Sequence, residues 1–322
     1  MALYASTNIR GGYQTYCHYK AQAGQVVAID ALTDPAVQSA VTNAVGIIPF
    51  PGMNESHNRM PVEGIGESRM HSSALGRRDW SFSVRQQLAA APLLGYAIRN
   101  RVNPALAGTR KGLQYLTFDM GSDTRYGGDV MAEQALDCLI NTWSFQAAEG
   151  QILQAEMDIW PMVVINQPTP QTRVVAPPNV LIWSNMSMET TSGDLHSLFA
   201  NVRLGGSNNL QRVGVRKQYG AEGSELAISR TPYGLEPMLE QITLQYQLHD
   251  QAPAALRTTA DWSTVTLRAE HPVGTAVRYY IQYVIDQQWI NRKVRQQAAA
   301  NQLINYSLEQ IGSGVTVTHG TI

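Results

Sequence analysis

Lysine is scarce in this chain: Lys20, Lys111, Lys217 and Lys293 are four of its 24 basic residues. Arginine supplies the rest, which reads as codon usage in a GC-rich genome more than as function. Charge of either sign is sparse too, at 15% of residues, against roughly 25% in ordinary soluble domains. The signs nearly cancel, Lys+Arg 24 against Asp+Glu 25, for a net charge of −1 over 322 residues. Tight nucleic-acid binding needs a basic stripe to displace phosphate counterions, so the charge balance argues against that role, although not against contact with DNA sliding past. Gln, Asn, Ser and Thr cover the surface instead. Depletion of Lys, Glu and Asp is a feature of subunit interfaces.

Cysteine is nearly absent, with only Cys17 and Cys138, so no disulfide framework is expected in a chain this large. Cys138 sits in the apolar run 136–140 and reads as a small buried hydrophobe. No apolar run reaches 18 residues, which argues against a transmembrane helix. The opening Met-Ala-Leu-Tyr-Ala-Ser-Thr lacks a basic region leading into an apolar stretch, so no signal peptide is expected. The expectation is a product made in the cytoplasm that stays soluble until it meets a partner, with no membrane association.

Catalytic and ligand-binding patterns are missing as well. None of the seven histidines forms a HExxH pair or a carboxylate-flanked cluster at metal spacing. Cys17 and His18 are neighbours in sequence, but neighbours on a strand point to opposite faces, which a nucleophile and its base cannot use. Gly64-Ile65-Gly66 lacks the third glycine of a dinucleotide loop, and Gly108-Thr-Arg-Lys-Gly lacks the order of a phosphate loop. The chain therefore reads as a non-enzyme with no catalytic residues, no cofactor and no metal.

What is present is strand pattern. Trp80, Phe82 and Val84 alternate with Ser81, Ser83 and Arg85, and Leu153, Ala155, Met157 and Ile159 alternate with Gln154, Glu156 and Asp158. Ile242, Leu244, Tyr246 and Leu248 continue the theme, and Val277, Tyr279, Ile281, Tyr283 and Ile285 form the longest series. Such alternation marks half-buried antiparallel strands. The best helix pattern is 91–100, with Pro92 near its start and Leu93, Leu94, Ala97 and Ile98 on one face. A second helix around 35–45 competes with strand.

The segment 166–178 carries four prolines and predicts a linker. It divides the chain into 1–170 and 171–322, each with a comparable run of strand signals. The polar stretch 50–78 lacks periodicity and suggests an arm reaching a neighbour. Charge is distributed in blocks. From 59 to 111 there are nine basic residues against three acidic, and from 119 to 158 eight acidic against one basic. Arg59, Arg69, Arg77, Arg78, Arg110 and Lys111 are thus candidate contacts for Asp119, Asp123, Asp129 and Glu133 of a neighbouring subunit. The alternatives are pairing within the domain, solvation, or an acidic lining for a passage that DNA slides through.

Several stretches resemble the tail tube proteins of long-tailed siphophages. Gly76-Arg-Arg-Asp-Trp-Ser-Phe-Ser-Val-Arg-Gln-Gln-Leu88, leading into Pro92-Leu-Leu-Gly-Tyr-Ala-Ile98, is similar to that family's core strand followed by a short helix. Leu136-Asp-Cys-Leu-Ile-Asn-Thr-Trp-Ser-Phe-Gln-Ala-Ala-Glu-Gly150 resembles its strand that turns at a glycine and returns. Ala200-Asn-Val-Arg-Leu-Gly-Gly-Ser-Asn-Asn-Leu210 resembles its strand ending in an Asn-Asn-Leu turn, with 298–310 as the closing strand. The resemblance spans roughly 76–314. It implies a mainly β chain of two tandem barrel or sandwich domains, 1–170 with its long loop 50–78 and 171–322, each with a short packed helix. Further implications are homo-oligomeric rings, trimers of pseudo-sixfold symmetry in preference to hexamers, stacked into a tube in the virion tail. Tape-measure, tail-terminator and tail-tip proteins would be its partners, and DNA would pass without specific binding. Competing readings are another phage baseplate component or a carbohydrate-binding β-sandwich that stacks sugars on some of the tryptophans.

Overall fold

A computed structural model of the chain describes residues 15–26, 41, 43–45, 52–56, 60–63, 70–74, 79–87, 93–98, 109–110, 113–122, 132–166, 171–172, 174, 181–190, 193–194, 199–210, 241–249, 261–270, 279–296 and 305–321. These residues form a mainly β chain. Its strands are β1 (Thr15–Ala21), β2 (Asn43–Ala44), β3 (Asn54–Ser56), β4 (Met60–Glu63), β5 (Met70–Ala74), β6 (Asp79–Gln87), β7 (Thr109–Arg110), β8 (Leu113–Gln114), β9 (Leu116–Ser122) and β10 (Ala132–Ala148). There follow β11 (Gln154–Trp160), β12 (Val163–Asn166), β13 (Met186–Thr190), β14 (Gly193–Asp194), β15 (Phe199–Ser207), β16 (Gln241–His249), β17 (Asp261–Glu270), β18 (Tyr279–Gln296) and β19 (Asn305–Thr321). All pairings are antiparallel, and fifteen of the strands join one sheet in the path β14-β13-β17-β18-β19-β16-β15-β10-β11-β6-β3, with β1, β2, β9 and β12 branching from β10.

The alternation in the sequence explains the strands it marks. On β6, Trp80, Phe82 and Val84 are buried while Ser83 and Arg85 are exposed. On β11, Ala155, Met157 and Ile159 are buried against Gln154 and Glu156 outside. Each large apolar side chain taken fully from water contributes about 1.5–3 kcal/mol, so a one-residue slip that turned this face outward would lose the core.

Strand β10 is the pivot. Its first half pairs with β9 and β12, its second half with β11 and β15. Two bulges make the turn from one set of partners to the other. Between Ala135 and Cys138 the partner strand advances by one residue fewer, and Asp137 takes φ 49. A second irregularity lies between Ile140 and Thr142. The Asp137 Oδ1 in the first bulge accepts the Gln22 Nε2 and Val26 N–H groups, both at 2.9 Å. Bulges bend a strand and raise its twist, which lets one 17-residue strand serve two surroundings. The hairpin to β11 closes as expected, with the Gln151 N–H donating to the Ala148 carbonyl at 3.0 Å and Gly150 at φ 72.

The segment 166–178 lies between β12 and β13, yet one sheet runs across it through the β10–β15 ladder, Thr142↔Ser207 to Ala148↔Asn201. The main core likewise draws on both sides, joining Phe82, Phe118, Phe145 and Met157 to Val202, Leu267, Tyr283 and Ile285.

Two expected elements need correction, and two further stretches gain strands. Among the described residues of 91–100 the expected helix is a single 3-10 turn, Leu93–Tyr96, and its expected apolar face is inside: Leu93, Leu94, Ala97 and Ile98 are all buried. Gly95 disfavours helix by about 1 kcal/mol relative to Ala, and so short a piece relies on packing instead. At the end of 35–45, Asn43–Ala44 pairs with β1 as a strand, and Val45 N–H donates to the Cys17 carbonyl at 3.2 Å. The stretch 50–78 contains β3 on β6 and a separate β4–β5 pair. The closing strand runs Asn305–Thr321, well past the expected end at 310, and 298–304 lie outside the described residues.

Candidate assembly surface

The outer face across β15, β10, β11 and β6 is polar. Its registers put Arg203 beside Gln146 and Gln154, and Ser144 beside Glu156 and Arg85. These six residues line a groove of about 260 Å³. Arg85 and Glu156 meet at 3.3 Å, but their side chains are 65% and 50% exposed, so the pair contributes little in water. Arg203 is exposed and makes no ion pair among the described residues. The groove offers hydrogen bonds and weak charge. Among the described residues no group of three or more His, Cys, Asp or Glu is placed to hold a metal ion, and no helix is long and apolar enough to cross a membrane.

The predicted charged contacts divide sharply. Asp119 lies inside the molecule, fully buried. Its Oδ1 accepts the Tyr16 hydroxyl at 3.0 Å and its Oδ2 accepts the Gln171 Nε2 at 2.6 Å. Glu133 is half-buried on β10, opposite Met120, while Asp119 is opposite Gln134. The two carboxylates therefore fall on opposite faces of the sheet. Burial, and then the neighbouring Glu55 carboxylate, push the Glu133 carboxyl above its usual range. Arg110 lies in β7, paired with Leu113 of β8. Arg59, Arg69, Arg77, Arg78, Lys111, Asp123 and Asp129 lie outside the described residues.

Around Asp119 the fold builds a polar clasp that the sequence did not suggest. The Gln171 N–H donates to the Tyr16 hydroxyl at 3.1 Å, and the Gln171 Oε1 lies 3.3 Å from His18 Nδ1. The Val174 N–H donates to His18 Nε2 at 3.0 Å, so Nε2 is the acceptor and the proton sits on Nδ1. Tyr16 and His18 stack at 4.9 Å between centroids. The chain after β12 is thereby held against β1 and β9. Burial raises the Tyr16 hydroxyl far above its usual range, with Asp119 adding to the effect. Burial and the same carboxylate raise the Cys17 thiol.

The Asn-Asn-Leu turn has a clear structural use. Asn208 is buried and donates through Nδ2 to the Ala97 and Ile140 carbonyls, each at 2.8 Å. The Asn208 N–H donates to the Asn141 carbonyl at 2.7 Å, and the Leu210 N–H to Asn141 Oδ1 at 2.8 Å. Asn209 supplies the left-handed residue at φ 48, a conformation asparagine tolerates better than most residues. This turn pins the end of β15 to the bulge of β10 and to the 3-10 turn.

Among the described tryptophans, Trp80, Trp143 and Trp183 are buried, and the half-buried Trp160 donates its Nε1 to Asp158 at 2.8 Å. None of these is a free stacking platform for a sugar. Set against protein-family models and curated proteins, the sequence matches no family model and no curated protein.

Proposed function

We propose that this chain is the tail tube subunit of a long-tailed phage, a structural protein that self-assembles in the host cytoplasm and resides in the virion tail. The observation that carries the reading is the form of the sheet. Fifteen antiparallel strands join one sheet; β6, β10, β11 and β15 put one face into the main core and present Ser, Gln, Arg and Glu on the other. That is the makeup of a wall more than of a binding pocket, which is typically concave and mostly apolar. A polar wall of low net charge gives passing DNA little to adhere to.

In this reading 1–170 and 171–322 are two related β units, and three chains close a pseudo-sixfold ring in preference to a hexamer. Rings stack head to tail into the conduit, with tape-measure, tail-terminator and tail-tip proteins as the other partners. Ring closure also satisfies exposed strand edges that would otherwise aggregate. Sedimentation velocity over a range of protein concentrations tests the ring. A discrete trimer in equilibrium with larger species supports it, a hexamer would redirect the symmetry, and a monomer at every concentration would remove the reading.

A further inference from the structure

The hairpin β18–β19 is longer than the strands that flank it, and the flanking strands cover opposite ends. Strand β17 pairs with β18 only from Tyr280 to Trp289, and β16 pairs with β19 only from Asn305 to Gly312. Among the described residues no strand covers the far side of β18 over 290–296 or of β19 over 313–321. Among the described residues the hairpin thus carries two open edges, seven and nine residues long, on opposite sides and at opposite ends. Open edges expose rows of unpaired N–H and C=O groups and recruit a further strand.

We propose that the two edges pair with each other between copies: 313–321 of one chain lies antiparallel to 290–296 of the next, so that one sheet runs on through successive subunits. This rests on the tube reading and names the contact that closes its ring. Three features carry it. The edges are of similar length, seven and nine residues. Their directions fit, because β18 and β19 are antiparallel, so a second copy displaced sideways presents its β18 antiparallel to the first copy's β19. The stagger leaves room, since each open edge begins where the flanking strand of its own chain stops.

Charge disfavours the symmetric pairing of two basic edges. The edge 290–296 carries Arg292, Lys293 and Arg295, while 313–321 has no Lys, Arg, Asp or Glu. Two copies of the basic edge side by side would face like charge with like charge, whereas the basic edge against the Val-Thr-Val-Thr edge meets none. A contact between unlike surfaces propagates into a ring or an open filament; one between like surfaces stops at a dimer.

The backbone register puts Lys293 and Arg295 on the same face as Thr316 and Thr318. The test is therefore a charge exchange in the full chain, read by the concentration of half-assembly in sedimentation. T316K/T318K sets lysines against the neighbour's basic edge and is expected to raise that concentration about tenfold or more. Adding K293E/R295E to the same chain is expected to restore assembly, with circular dichroism showing each variant folded. A folded four-site variant that stays dissociated, or a T316K/T318K chain that assembles like the parent, overturns the pairing and leaves the tube reading standing. A parent chain that never self-associates removes both.

Discussion

The indole of Trp143 lies across the backbone of Gly206, its cross-strand partner on β15. A Cβ built on Gly206 would come within 2.6 Å of the Trp143 ring carbons. Gly206→Ala must therefore displace a buried ring at the junction of the two halves, and is expected to destabilise the fold by about 1–3 kcal/mol. Gly205→Ala meets the Trp143 carbonyl at 3.3 Å and the Ser144 Cβ at 3.8 Å, and is expected to cost less. Denaturant midpoints of the two variants decide the order, and equal midpoints would contradict this packing.

Asp119 is expected to act inside the chain. Asp119→Ala leaves the buried Tyr16 hydroxyl and the Gln171 amide without their acceptor, which costs about 1–3 kcal/mol. Because Gln171 and Val174 anchor the chain after β12, the same variant should be cleaved faster by trypsin at Arg173. Unchanged cleavage and stability would mean that the clasp does not hold this segment.

The two thiols should be slow to react in the folded protein. Burial raises both Cys17 and Cys138, with Asp119 adding to the first and Asp137 to the second. The thiolate is the reactive form. A disulfide reagent at mildly alkaline pH is therefore expected to modify neither thiol quickly until the chain is unfolded. Rapid modification of the native protein would show that neither the burial of Cys138 nor the partial burial of Cys17 holds its thiol back.

Glu133 gives a pH dependence of definite sign. Its carboxyl is raised in the folded chain by burial and by Glu55. The contribution of this group thus favours folding below its unfolded pKa and is lost as pH rises through the folded one. Glu133→Gln keeps the neutral form throughout. It should raise the melting temperature at neutral pH and make little difference near pH 4, where the parent is itself protonated. A variant that destabilises equally at both would contradict the assignment.

Strands β6 and β11 were legible because each alternates cleanly, with one face buried. The full lengths of β18 and β19 were less so: Gly312-Ser-Gly314 reads as a turn, yet it continues a strand held by its neighbour's ladder. The Met60-Pro-Val-Glu strand was hidden by its proline, which a two-stranded pair tolerates at an edge. The first bulge of β10 lies in the apolar run 136–140 and the second directly after it, where periodicity is silent. The clasp was out of reach, since Tyr16 and Asp119 are 103 residues apart and Val174 and His18 are 156. Asp119 was selected for lying in an acidic block, and composition alone cannot tell a surface carboxylate from a buried one held by a tyrosine.

Electron microscopy of the purified full-length chain, stained at increasing protein concentration and over a range of salt, tests the central claim most directly. The account predicts hollow, regularly striated filaments or stacked rings, with three chains to each ring. Monodisperse single subunits under every condition, including in the presence of tail-tip extract as a nucleus, would contradict it.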